Sequence, residues 1–175
     1  EFNFIQINSN SFINKSKLNL IFDFNSWDRE YENGNEIDNY YSQNTNLKSV
    51  YIINNKKINN ALGLDYKFYK ADFTNRGSYN SSVNKDGEQF GLFNNTDVKL
   101  KNKFILSGGY RIDENSLFGN QSTYRIGSAY KYSNFTFFNS YSTGYKNPTF
   151  YEMFGADSYG YSGNPDLKPE IAYNS

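Results

Sequence analysis

The feature that most constrains the fold of this 175-residue chain is an alternation of apolar and polar side chains with a period of two. The alternation is cleanest over residues 62–69, where Leu62, Leu64, Tyr66 and Phe68 alternate with Gly63, Asp65, Lys67 and Tyr69. Successive side chains of a strand point to opposite faces, so this pattern predicts a strand with one apolar and one polar face. Seven similar segments occur elsewhere, and a further one begins at Ile171. The sequence therefore predicts an all-β fold of eight to nine strands.

The two faces of these strands differ as the lipid-facing and water-facing sides of a membrane barrel differ. The apolar side carries Leu64, Phe68, Leu106 and Ile126. The charged side chains collect on the other side, at Asp65, Lys67, Asp97, Lys99, Arg111, Arg125 and Lys131. An aromatic content of 19% together with a mean hydropathy of −0.80 fits the same arrangement, with rings facing lipid and polar groups facing a wet lumen. Because an Arg or Lys at the bilayer midplane costs about 2–4 kcal/mol, the pattern also fixes the strand register.

The connections between the predicted strands indicate how the strands are joined. Short polar turns are predicted at 14–16, 54–57, 101–102 and 133–134, and longer connections at 28–38, 75–87 and 113–121. Connections that are short at one end of a sheet and long at the other are typical of an antiparallel up-and-down transmembrane β-barrel. A tilted strand of about ten residues spans roughly 25 Å, the height of the apolar belt of such barrels. The sequence has no run of about 18 apolar residues, so we expect any bilayer crossing by this chain to use strands.

The residue types that are missing limit the chemistry of the chain. It contains no Cys and no His, which removes disulfides, thiol nucleophiles and the commonest general base. We therefore expect no enzymatic activity, no catalytic residue, no cofactor and no metal centre. The net charge of zero predicts no affinity for nucleic acid.

The acidic connection at 28–38 leaves one alternative open. Its carboxylates are spaced mostly by two residues, as oxygen ligands of calcium often are, at Asp28, Glu30, Glu32, Glu36 and Asp38. The segment lacks the EF-hand pattern, and a solvated loop is the commoner explanation of such a charged run.

The stretch 137–170 carries the most specific motifs. It begins as a strand with Phe137, Tyr141 and Tyr145 on one face, which is predicted to end at Lys146 because Pro148 cannot continue a ladder. The pattern Tyr-Lys-x-Pro-x-x-x-Glu-x-Phe-Gly spans 145–155, and Gly-Asn-Pro-Asp-Leu-Lys-Pro-Glu spans 163–170. In this order and spacing the two motifs resemble the barrel signature of TonB-dependent outer-membrane receptors, most closely their cobalamin-receptor branch. Segments at 28–33, 62–66 and 111–125 extend the resemblance over most of the chain.

The resemblance implies a fold, a location and a function. Residues 1–175 are expected to be eight to nine strands of a larger, 22-stranded receptor barrel, with the N-terminal plug domain absent from the sequence. Such receptors lie in the outer membrane of Gram-negative bacteria, among lipid and lipopolysaccharide. They import cobalamin or a similar metal chelate, such as a siderophore, with energy from the TonB protein. Two other classes stay open: a self-contained small barrel, porin-like or adhesive, and a soluble β-rich carbohydrate-binding module.

The resemblance also implies which residues bind ligand and which have a structural role. Ligand contacts of the family come from loops and plug, so the candidate ligand-binding residues are Tyr151, Tyr159 and Tyr161, whose rings can stack on a planar chelate. The motif residues are expected to hold the loop ends rather than contact ligand: Tyr145, Lys146, Pro148, Gly163, Asn164, Pro165, Asp166, Leu167, Lys168, Pro169 and Glu170. We expect Lys146 and Glu170 to form an ion pair at the rim.

Overall fold

The computed structural model describes residues 1–76, 81–100, 103–156 and 161–175. In this part of the chain there are nine strands and one short helix, β1 Phe2–Ile13, β2 Ser16–Asn33, β3 Glu36–Asn54, β4 Ile58–Arg76, β5 Ser81–Leu100, β6 Phe104–Asn115, β7 Gly119–Tyr132, β8 Phe135–Lys146, α1 Phe150–Phe154 and β9 Glu170–Asn174. Every strand pairs antiparallel with the next one in the chain, in a single sheet of order β1 to β9. The predicted all-β, antiparallel up-and-down architecture of eight to nine strands is confirmed.

The sheet has an apolar face and a polar face, and it is the polar face that contains the most buried side chains. The apolar face exposes large side chains, including Leu64 at 45%, Leu106 at 42% and Ile126 at 59%. On the polar face Asp65 and Asp113 are only 4% and 0% exposed. A water-soluble domain buries its aliphatic side chains and leaves its carboxylates in water, so this distribution is inverted. The assignment of the two faces from sequence alternation is confirmed for these strands.

The strands are longer than the sequence predicted, and the connections are shorter. β2 and β3 pair continuously up to Asn33 and Glu36, through the acidic segment expected to be a loop. The turn between them contains Gly34 with a φ of +63°, a conformation glycine adopts without steric cost. The β6–β7 connection is likewise reduced to 116–118. The predicted alternation of short and long loops is therefore wrong at these connections. Each added residue pair of the ladder gives hydrogen-bond partners to backbone N–H and C=O groups that would face solvent in a loop.

The side chain of Tyr145 lies on the polar face, so its predicted place beside Tyr141 is wrong. The described ladder between β7 and β8 ends at the pair Arg125–Ser142. Beyond it the Thr143 hydroxyl, at 3.0 Å, accepts the hydrogen bond of the Tyr124 backbone N–H. Such an interruption shifts the side chains that follow by one position, as a bulge does.

The segment after β8 turns back over the polar face instead of forming an open loop. β8 ends at Lys146, as predicted, and the five-residue helix α1 follows. Phe150 and Met153 of this helix are buried. In the described residues, no helix is long and apolar enough to cross a membrane.

Candidate functional site

The centre of the polar face is an ion cluster that joins β4 and β6 across β5. The Arg111 guanidinium on β6 donates to both carboxylate oxygens of Asp65 on β4, at 2.6 and 2.9 Å. Its Nε and second Nη also donate to Asp113, the Nε at 2.7 Å. Gly91 of β5 lies between them, and a Cβ at this position would fall 2.2 Å from the arginine Nη2. Arg111 reaches Asp65 because Gly91 places no side chain in its path across β5.

A hydrogen-bonded network of uncharged groups extends from this cluster toward α1. Gln89 donates to Asp113 at 2.9 Å and to the Tyr145 hydroxyl at 3.2 Å. Asn115, which is 3% exposed, donates to the hydroxyl of Tyr69 at 3.0 Å. Each of these partly buried polar groups thus has a partner, as burial of polar groups requires. The network links Tyr145 of the first motif to the centre of the sheet.

An aromatic ring on the same face lies between two cations. Phe93 has the Nζ of Lys48 at 5.1 Å and the Cζ of Arg111 at 5.6 Å from its ring centroid. Gly63 on the adjacent strand makes room for the ring, since a Cβ there would lie 2.1 Å from the Phe93 Cζ. Cation–π contacts of this kind hold the Lys48 and Arg111 side chains against the polar face of the sheet.

The helix α1 is fixed by local hydrogen bonds that the first motif encodes. The Thr149 hydroxyl accepts from the Glu152 N–H at 3.1 Å, and the Glu152 carboxylate accepts from the Thr149 N–H at 2.7 Å, which is a capping box. These bonds hold the pKa of the Glu152 carboxyl below its ordinary value. The Lys146 ammonium lies 3.5 Å from Glu152. The described ion pair of Lys146 is thus with Glu152, and the expected pair with Glu170 is wrong, although the two backbones are aligned in β8 and β9.

The second motif holds the helix from the other side. Gly163 donates to the Gly155 carbonyl at 2.7 Å, and Asn164 donates to the Glu152 carbonyl at 3.0 Å. A Cβ on Gly163 would lie 2.6 Å from the Met153 carbonyl carbon, so only glycine permits this backbone contact. The Asn164 side chain caps the turn by accepting from the Asp166 N–H at 2.9 Å.

Of the three tyrosines expected to bind ligand, the structure brings Tyr151 and Tyr161 together. Their rings are stacked, with centroids 5.1 Å apart and planes 2° from parallel. Phe73 on β4 contacts Tyr151 edge-on at 6.0 Å and Tyr40 on β3 at 5.7 Å. Tyr159 lies outside the described residues. The ligand-binding role of the tyrosines and the structural role of the motif residues stay predictions.

The remaining motif residues follow the turn after Asn164. Pro165, Asp166, Leu167, Lys168 and Pro169 lead from this turn to Glu170, which begins β9. Leu167 donates to the Asn164 carbonyl at 3.3 Å. Pro148 and Lys146 lie at the opposite end of the segment, beside the same cavity as Lys168 and Glu170. The two motifs therefore meet in space around α1.

Sequence reasoning missed the ion cluster and the helix. Asp65 and Arg111 were placed on the correct face, but nothing in the spacing predicted that Arg111 would reach Asp65 across β5 and also bind Asp113. Helix α1 had a recognisable signal, the Thr149-x-x-Glu152 capping box. Within the part of the chain that is described, no group of three or more carboxylates could hold a metal ion. The acidic segment at 28–38 forms paired strands there.

Comparison with known proteins places this arrangement in a family. Residues 2–175 match the model of the TonB dependent receptor-like, beta-barrel family. The chain is 34% identical over 104 residues to the vitamin B12 transporter BtuB of Photobacterium profundum, over 55% of this chain and 16% of that protein.

Two solved structures share the fold. The siderophore receptor PirA from Pseudomonas aeruginosa superposes with a TM-score of 0.79 and 15% identity, covering 98% of this chain and 34% of PirA. PirA from Acinetobacter baumannii gives a TM-score of 0.65 and 14% identity, covering 98% and 31%. The inverted sheet, the two motifs that enclose α1 and the family match lead to one conclusion: this chain belongs to the TonB-dependent receptor family and corresponds to part of its β-barrel.

Proposed function

We propose that the chain is part of the wall of an outer-membrane receptor that imports cobalamin or a similar metal chelate. The observation that carries the proposal is the inverted sheet, in which aliphatic side chains are exposed on one face while Asp65 and Asp113 are buried on the other. Such a sheet is stable where lipid covers its apolar face and polar groups cover the opposite face. The 34% identity to a vitamin B12 transporter supports the cobalamin branch.

The proposal includes the parts of the receptor that this sequence does not contain. Residues 1–175 form one section of a 22-stranded barrel domain, closed by a plug through which TonB supplies energy. The barrel lies in the Gram-negative outer membrane, with lipid and lipopolysaccharide against its apolar face. The receptor binds and moves its ligand without changing it chemically, and it binds no nucleic acid.

The stacked pair Tyr151 and Tyr161 is the proposed ligand contact at the rim, together with Tyr159. Tyr161 is 37% exposed, so its ring remains accessible beside Tyr151. A flat chelate can extend the existing stack, because offset aromatic stacking favours parallel rings. The motif residues around α1 keep this pair in place.

Uptake measurements test the function. We expect deletion of the gene for the intact receptor to abolish accumulation of radiolabelled cobalamin, or of one ferric chelate, and the cloned gene to restore it only in cells with TonB. Uptake that persists without TonB would favour the passive small barrel. A protein that stays soluble without detergent would favour the carbohydrate-binding module.

A further inference from the structure

The apolar face of the sheet contains a strip of amide and hydroxyl side chains. This polar strip consists of Asn60 on β4, Asn94 and Thr96 on β5, Gly108 on β6, Ser128 on β7 and Asn139 on β8. Each member lies two residues from an apolar side chain of that face, as Asn94 does from Leu92 and Ser128 does from Ile126. Side chains two positions apart in a strand share a face, so the strip interrupts the surface assigned to lipid.

The polar strip runs at a nearly constant height, near the edge of the sheet that carries the short turns. Thr96 lies four residues from the end of β5, and Gly108 lies four residues from the start of β6. Ser128 and Asn139 lie equally far from the corresponding ends of β7 and β8. At about 3.3 Å per residue and a tilt of about 40°, the strip lies roughly 10 Å above this edge. Exposed apolar side chains lie below it, as Phe135 does on β8, so the apolar belt encloses the strip.

The hydrogen-bonding groups of the strip are only partly used within the described residues. The Nδ2 of Asn60 donates to the Thr96 hydroxyl at 2.6 Å and to the Asn94 Oδ1 at 3.2 Å. The Ser128 hydroxyl donates to the Asn139 Oδ1 at 2.9 Å. The Nδ2 groups of Asn94 and Asn139 donate no hydrogen bond in this part of the chain. Lipid tails offer them no acceptor, and side chains of this kind form contacts between proteins within membranes.

We propose that the polar strip is the contact surface between two copies of the receptor that lie side by side in the membrane. Two copies in one membrane present the strip at the same height, and a twofold axis along the membrane normal brings it against itself. A carboxamide contains both donor and acceptor groups, so the strip is complementary to its own copy. The free N–H groups of Asn94 and Asn139 donate to amide oxygens of the second copy.

Gly108 lies on β6, the central strand of the strip, where the twofold axis passes. A Cβ at this position would meet nothing within 4 Å, so the two walls can approach closely there. Each hydrogen bond between proteins in a membrane contributes only a small stabilisation, so the contact is reversible and excess lipid separates the copies. The contact of this face with lipid rests on the proposed function, whereas the pairing goes beyond it.

Cross-linking of single cysteines in outer-membrane preparations tests the contact, because this chain has no cysteine of its own. In the intact receptor, Gly108→Cys should form a disulfide-linked dimer on oxidation. Ile112→Cys is the matched control on the same strand and face, since the tilt of β6 moves it about 8 Å sideways from the axis in each copy. A disulfide needs Cα atoms within about 7 Å of each other, so we expect little dimer at this position.

Replacement of the two amides tests the chemistry of the contact. Asn94→Leu combined with Asn139→Leu in the Gly108→Cys background should reduce the dimer about fivefold. Ser49→Leu makes a similar change on the same face at β3, outside the strip, and should leave the dimer unchanged. Heat-modifiable mobility on gels shows that each variant is folded.

Equal cross-linking at positions 108 and 112 would indicate random collision and would overturn the proposal. A product of another mass would assign the strip to a different membrane protein, and an unchanged dimer in the double variant would remove the amide contact; either result contradicts the pairing. Uptake assays on the same cells separate the pairing from the proposed function. Normal uptake without a dimer would contradict the pairing and leave the transport function standing, whereas a dimer in cells that import no chelate would do the reverse.

Discussion

The carboxylate of Asp65 accepts two hydrogen bonds from Arg111, at 2.6 and 2.9 Å, although a whole strand separates the two residues. The arginine crosses β5 at Gly91 and also binds Asp113, which is fully buried. One cation thus serves two carboxylates that have little access to water. Removing one member of such a cluster is costly, because the others are left as buried, uncompensated charges.

Arg111→Met should destabilise the folded barrel by about 3–5 kcal/mol, since it leaves Asp65 and Asp113 unpaired. Urea unfolding of the intact receptor in detergent, followed by heat-modifiable mobility on gels, measures the change. Arg125→Met is the matched control, because Arg125 is exposed on the same face and forms no ion pair among the described residues. Equal stability of the two variants would contradict a structural role for the cluster.

Gly91→Ala should also lower the free energy of unfolding, by a smaller amount than Arg111→Met. A Cβ at position 91 would lie 2.2 Å from the arginine Nη2. The added methyl group therefore pushes the guanidinium aside and disturbs its hydrogen bonds to both carboxylates. Gly108→Ala is the control, because a Cβ at Gly108 meets nothing within 4 Å. An alanine in an open strand position is favoured by roughly 0.5–1 kcal/mol over glycine, so the two variants should differ in sign. Destabilisation by both would refute the argument.

The sequence predicted those parts of the fold that depend on alternation along one strand. Leu64 and Asp65 were assigned to opposite faces because an apolar and a charged residue occupy neighbouring positions in an alternating segment. The Tyr145 side chain was misplaced because the interruption after Ser142 depends on pairing with β7, which no local pattern records. The 28–38 segment was assigned to a loop because its side chains are polar, whereas its strands are held by backbone hydrogen bonds that are independent of side-chain polarity.

The candidate site was less accessible to sequence reasoning. Tyr151 and Tyr161 were selected for their residue type, but their stacking depends on the turn that Gly163 allows against Met153. A cavity beside α1 combines residues of β3, β4, β5, the β6–β7 connection and the segment after β8. Such long-range combinations follow from the register of the sheet and not from spacing along the chain.

Gly163→Ala should loosen the segment that contains α1. The new methyl group would overlap backbone atoms of Met153 and Phe154, which cannot move without breaking the helix contacts, at a cost of about 1–3 kcal/mol. Faster chymotryptic cleavage within 147–169 of the intact receptor, at aromatic residues such as Phe150 and Phe154, is the expected result. Gly144→Ala, in open space on β8, should be cleaved at the wild-type rate. Similar cleavage of both variants would contradict the close packing.

Acid should release α1 through Glu152. Bonds from Thr149 lower the pKa of this carboxyl from its ordinary 4.5, so the ionised form stabilises the folded helix. The stabilisation is complete above pH 4.5 and is lost as the pH falls through the lowered pKa. The mobility of a spin label at Ala156→Cys should therefore rise below pH 4.5 in the wild-type background. In the Glu152→Gln variant the mobility of the label should not change with pH over this range. An acid transition that persists in this variant would show that another group causes the effect.

The position of the two faces relative to lipid is tested most directly by single spin labels, since the chain has no cysteine of its own. Ile126→Cys lies on the apolar face, and Ser140→Cys lies on the polar face at nearly the same level of the β7–β8 ladder. In the intact receptor reconstituted in a bilayer, we predict that the label at position 126 collides with dissolved oxygen and is shielded from a water-soluble nickel chelate. The label at position 140 should be shielded from oxygen. Nickel access at position 126, or equal oxygen access at both positions, would contradict a membrane-spanning wall.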